Sequence, residues 1–190
     1  MPYRLRETED FFVTPQRWSA HPVFNISEPG EDSERAKIAA KSFARKTQLK
    51  FTRVCLMTGS NDHEHLDRSV KFYDSNVLPL NCIVQEVVKN LEEICNTLTP
   101  LLYNRKSKLK IILPPPRNQI GFNVFLQKLH SALLENSTLK KFYKKDHFCS
   151  ALYGPNFTPK TLDYLNSDNV HLSKDGYEKF LNWLGHFLMK

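Results

Sequence analysis

Cysteine and glycine are scarce in this chain of 190 residues, at four and six. The cysteines (Cys55, Cys82, Cys95 and Cys149) form no CxxC pair and no zinc-ligand spacing, which argues against a structural zinc site. Reduced thiols, three of them in apolar surroundings, are the expectation. There is no glycine-rich phosphate loop and no internal repeat. No apolar run approaches the roughly 18 residues of a membrane span, and the charged N-terminus has no apolar stretch of signal-peptide length. With Met1 as the start, these absences predict a soluble intracellular protein, cytoplasmic or nuclear. On that basis the sequons at Asn25, Asn136 and Asn156 read as incidental.

What is present suits one α/β unit. A hydrophobic content of 41%, with 12% aromatics, is enough to build a sizeable core. Residues 1 to 50 divide into an irregular arm, rich in proline and isolated aromatics, and a basic helix over Glu31 to Lys50. From 51 to 190, Phe51 to Met57 reads as a strand running into Gly59-Ser60-Asn61-Asp62. Apolar residues recurring at three and four from Pro79 to Leu102 predict an amphipathic helix ended by Pro100. Lys108 to Leu113 is a second strand, closed by Pro114-Pro115-Pro116. Phe122 to Leu134 is a further helix, and Leu139 to Lys145 either continues it or forms a short one of its own. His147 to Leu152 reads as a third strand, and Lys174 to Met189 as a closing helix. Strands alternating with helices imply parallel pairing in a layered α/β domain, with ligands beyond the carboxyl ends of the strands.

The excess of 27 Lys+Arg over 20 Asp+Glu gives a formal charge of +7. Such a charge favours phosphates, anionic surfaces or acidic substrates without choosing among them. Solvated helix faces are the plainer reading of these scattered cations. If nucleic acid is a partner, the 34 to 50 helix and the Arg105 to Lys110 run are the expected contacts. Asp62-His63-Glu64-His65 offers imidazoles and carboxylates at close spacing, but a solvated polar loop accounts for it, so neither a metal nor a cofactor is expected.

The chemistry concentrates near the C-terminus. Asp168 precedes His171 by three residues at the mouth of a helix, so a carboxylate can orient an imidazole able to take a proton from a hydroxyl and return it to a leaving group. The plainer account is a capped turn carrying a satisfied histidine.

Gly59-Ser60-Asn61-Asp62 at a strand end, followed by Asp168-Asn169-Val170-His171-Leu172 with Gly176, resembles the GxND and DxxHL blocks of the SGNH (GDSL-like) hydrolases. The resemblance spans roughly the C-terminal two thirds of the chain. It implies a three-layer flavodoxin-like sandwich with a short parallel sheet, in which the first strand is missing or unrecognisable, and serine-esterase chemistry on a small ester substrate. His171 would be the base, Asp168 its orienter, Asn61 an oxyanion donor on the Gly59 loop, and Asp62 an anchor for that loop. The family's N-terminal GDS block is not evident. Its nearest match, Gly30-Glu31-Asp32-Ser33, carries an inserted Glu, so Ser33 is a weak nucleophile candidate and an Asp-Ser pair opening a helix is more often an N-cap. The alternative is a catalytically inactive interaction module or a nucleic-acid-associated protein, since segments with a DxVHL ending are also similar to those of proteins of retroelement origin.

Overall fold

In a computed structural model, described for residues 31–63, 80–106 and 108–189, two strands run side by side. They are β1 (Arg53–Leu56) and β2 (Lys108–Ile111), paired in parallel with Arg53 opposite Lys108 and Leu56 opposite Ile111. Parallel partners need a long crossover, and the chain between them includes α2 (Leu80–Leu98), a helix of 19 residues. The other helices are α1 (Ser33–Lys46), α3 (Ile120–Glu135) and α4 (Lys174–Met189). This is a small α/β fold.

Side chains alternate across a strand, and the alternation in and after β2 sorts the helices into layers. Leu109, Ile111 and Leu113 enter a core shared with α1, α2 and α3, whereas Ile112 enters a second core shared with α4. In the larger core, Val87, Leu91 and Ile94 of α2 meet Phe122, Phe125, Leu126 and Leu129 of α3, all at most 1% exposed. Each such side chain contributes about 1.5–3 kcal/mol by leaving water. Ala39 and Ala40 are the buried apolar residues of α1, small enough to let that helix approach α2 closely. Lys41 reaches across to Glu93 at 2.6 Å.

The second core closes around α4. Phe180 and Phe187 pack with Ile112, Cys149, Leu152, Leu165 and Leu172, and Trp183 stacks on Phe187 with ring centroids 4.8 Å apart. A side chain at Gly176 would collide with the Tyr164 carbonyl oxygen, so the first turn of α4 can seat there only without one.

The third strand expected at His147 to Leu152 is not formed. Ile111 N–H donates to Phe142 O at 2.9 Å and Leu113 N–H to His147 O at 3.1 Å, so this segment does lie along β2. Its two bonding carbonyls are five residues apart where β2 advances by two. The extra residues are taken up in a turn in which His147 N–H donates to Lys144 O at 2.9 Å, and a turn of that size interrupts any ladder. Leu139 to Lys145 likewise forms turns, because α3 ends at Glu135 and Asn136 Oδ1 accepts from the Thr138 and Leu139 N–H groups. The arm at residues 1 to 30, with any strand it would supply, lies outside the described residues.

Candidate active site

Asp168 and His171 meet within one turn. Asp168 Oδ1 accepts from the Val170 and His171 N–H groups, each at 2.9 Å, and Oδ2 lies 2.6 Å from His171 Nδ1. Asn169 takes the left-handed φ of 59° that closes this turn, a conformation asparagine tolerates better than most residues. An ionised carboxylate can only accept, so Nδ1 carries the hydrogen and the lone pair of the neutral ring sits on Nε2. That tautomer is the one a general base requires. Leu172, 5% exposed in the α4 core, roots the turn, while the His171 side chain is 70% exposed.

The loop after β2 fixes where the turn sits. Asn118 N–H donates to Asn169 O at 3.0 Å, and Asn118 Nδ2 lies 3.3 Å from Asn169 Oδ1. Asn61 belongs to the loop after β1, which leaves the strand through Gly59 at a φ of +103°. Both halves of the sequence constellation are thus carried by segments tied to the carboxyl ends of the strands.

The hydrogen bond from His171, and then the two backbone N–H groups, hold the Asp168 carboxyl down at about 2 from an ordinary 3.8. A group with a depressed pKa stabilises its folded surroundings at any pH above its unfolded value. That contribution is complete above about 3.8 and is lost as the pH falls through about 2. A carbon-13 NMR titration of the Asp168 carboxyl is therefore expected to give a midpoint near 2, and a midpoint near 3.8 would contradict the bonded turn.

Ser33 is elsewhere engaged. It is 0% exposed; its N–H donates to Asp62 Oδ2 at 2.9 Å and its hydroxyl to Asp62 Oδ1 at 2.5 Å. Asn90 Nδ2 donates to the same hydroxyl at 3.0 Å, and Lys37 Nζ donates to Asn90 Oδ1 at 2.9 Å. The N-cap itself is Asp32, which accepts from Arg35 N–H at 2.8 Å. Asp62 ties the loop after β1 to Ser33 at the start of α1. Among the described residues the His171 ring hydrogen-bonds to Asp168 and to no serine.

Asn61 Nδ2 donates to Glu31 O at 3.1 Å, which fixes the amide and leaves it a second hydrogen. His65 and Glu64 of the metal reading lie outside the described residues. Three further residues also shape this end of the fold. Arg117, 7% exposed, sets its guanidinium 4.4 Å from the Phe122 ring centroid, and the His63 ring stands edge-on to Phe122 at 5.7 Å. Asn90 is the third, and its sequence signal is a polar residue at a position on the buried stripe of α2.

No protein-family model matches this chain, and no curated protein matches it. Among solved structures it is similar to a Streptococcus pneumonia protein, named provisionally as a platelet activating factor, with a TM-score of 0.56. The likeness is one of fold. It covers 84% of this chain and 69% of that one at 18% identity, which supports the α/β architecture and leaves the chemistry to the residues.

Proposed function

We propose that this chain is an SGNH-type ester-hydrolase-like protein in which His171 is the general base, Asp168 its orienter and Asn61 an oxyanion donor. Ser33 in this reading is a structural residue and not the nucleophile. The observation that carries the proposal is the 2.6 Å contact between Asp168 Oδ2 and His171 Nδ1, which leaves Nε2 on an exposed ring. A base so placed withdraws the proton of an attacking hydroxyl, and the free hydrogen of the Asn61 amide meets the charge that develops on the ester oxygen.

Hydrolysis of p-nitrophenyl acetate by the purified chain tests this. Turnover above buffer is expected, and Asn61→Ala is expected to lower kcat by about 100-fold, the lower end of what a lost oxyanion donor costs. The second reading, an inactive member of the same type, is favoured by the burial of Ser33, which bonds to Asp62 and Asn90. A chain with no turnover establishes that second reading in place of the first.

A further inference from the structure

Phe122 stands where the two loops of the candidate site come together. It lies in the first turn of α3, is 0% exposed and packs beside Phe125 with ring centroids 6.1 Å apart, so the core holds its ring in one place. The His63 ring meets Phe122 at 5.7 Å and Phe125 at 5.9 Å. The approach is close: a Cβ on Gly121 would lie 3.2 Å from His63 Nε2, tighter than side chains ordinarily pack. His63 follows Asn61 by two residues. The bonds of Asn61 to Glu31 and of Asp62 to Ser33 fix that loop relative to α1, and the His63 contacts fix it relative to α3.

The same ring seats the loop after β2. Pro114, Pro115 and Pro116 lock three successive φ angles, and the Tyr153 hydroxyl donates to Pro114 O, so the chain reaches Arg117 stiffened. Arg117 is the last buried residue of this stretch and sets its guanidinium 4.4 Å from the Phe122 ring centroid, whereas Asn118, Gln119 and Ile120 are exposed. A guanidinium withdrawn from water gains from an aromatic face placed against it. Asn118 then donates its N–H to Asn169 O at 3.0 Å, inside the turn that Asp168 and His171 share. Chain and contacts together therefore run from the Asn61 loop through His63, Phe122, Arg117 and Asn118 to the His171 turn.

We propose that Phe122 is a positioning residue of the ester site: one buried ring seats both His63 and Arg117 and so sets the Asn61 amide and the His171 turn at a fixed spacing. The inference rests on the ester reading, in which an oxyanion donor and a base act on one substrate and lose rate steeply when misplaced, about 100-fold for roughly 1 Å. Loops that follow strands open locally unless something buried holds them. A ring that served the core alone would be matched in effect by another buried apolar residue of α3. Leu133 gives that comparison, since it is 0% exposed and lies farther along the helix by about 16 Å at 1.5 Å a residue.

Steady-state kinetics on p-nitrophenyl acetate, together with amide hydrogen exchange by NMR, test the proposal on the full chain. Phe122→Leu is expected to lower kcat about tenfold with KM within about threefold of the parent, and Leu133→Val to leave kcat within about twofold. The N–H of Asn118, bonded to Asn169, and the N–H of Ser33, bonded to Asp62, are expected to exchange at least about fivefold faster in Phe122→Leu than in Leu133→Val. Gly121→Ala is expected to lower kcat about fivefold by pushing His63 aside, with no fall in Tm because alanine is the better helix former. A residue that only stabilised the fold would move kcat and Tm together. Arg117→Leu is expected to cost about tenfold in kcat, and Arg117→Lys, which keeps a cation over the ring, to return it to within about threefold of the parent. A parent without turnover contradicts the ester reading alone, and the two exchange rates then decide whether Phe122 holds both loops. The proposal is overturned where Phe122→Leu matches Leu133→Val in kcat or at both amides, or where Gly121→Ala keeps the parent's kcat.

Discussion

Asp62→Ala is expected to lower the free energy of unfolding by about 3 kcal/mol, the cost of removing an ionised acceptor from two buried donors. The carboxylate is 8% exposed and receives both the N–H and the hydroxyl of Ser33. Without it the first turn of α1 keeps a buried hydroxyl that only Asn90 still bonds, and the loop carrying Asn61 loses its tie to the helix. For a chain of this size the loss corresponds to a fall in Tm of about 6–12 °C. Thermal and urea unfolding followed by circular dichroism measure it. A change under about 1 kcal/mol would mean that the network does not bear on stability. Asp62→Asn is expected to fall between, since an amide retains one accepting oxygen.

His171→Ala is expected to lower kcat/KM for p-nitrophenyl acetate by about 1,000-fold while leaving the fold intact, within the range contributed by a positioned general base. The ring is 70% exposed, so its removal opens no buried cavity. The turn beneath it is held by Asp168 through the Val170 and His171 N–H groups, which survive the substitution. An unchanged Tm with activity lost would separate a chemical role from a structural one. Steady-state kinetics over a range of ester concentrations make the distinction, because loss of a base appears in kcat rather than in KM alone.

Much of this molecule is legible in the sequence because its elements are local and strongly patterned. The apolar stripe from Ile83 to Leu98 places α2, and Pro100 stops it inside the short 3-10 turn Thr99–Leu101. The Asp168 turn is legible for the same reason, since three residues separate the carboxylate from the imidazole and the chain need only fold back once. The third strand was not, because its failure depends on a turn at Lys144 to His147 that breaks the ladder only when laid beside β2. The Ser33 network was hidden for a related reason. Its members are separated by 29 residues for Asp62 and 57 for Asn90, and no local period connects them. Ser33 therefore reads in sequence as a weak match to a nucleophile block, and in the structure as the link between α1, the β1 loop and α2. Arg117 stands after three prolines with no motif around it, and its packing on Phe122 joins residues with no shared local period.

In the proposed function His171 and Ser33 divide by role, the first chemical and the second structural. Measuring kcat/KM on p-nitrophenyl acetate for the parent, Ser33→Ala and His171→Ala, each at a temperature where circular dichroism shows it folded, tests that division most directly. Ser33→Ala is expected to stay within about threefold of the parent while its stability falls by roughly 1.5–3 kcal/mol, and His171→Ala to lose about three orders of magnitude. A Ser33→Ala protein that is folded and as inactive as His171→Ala would contradict it.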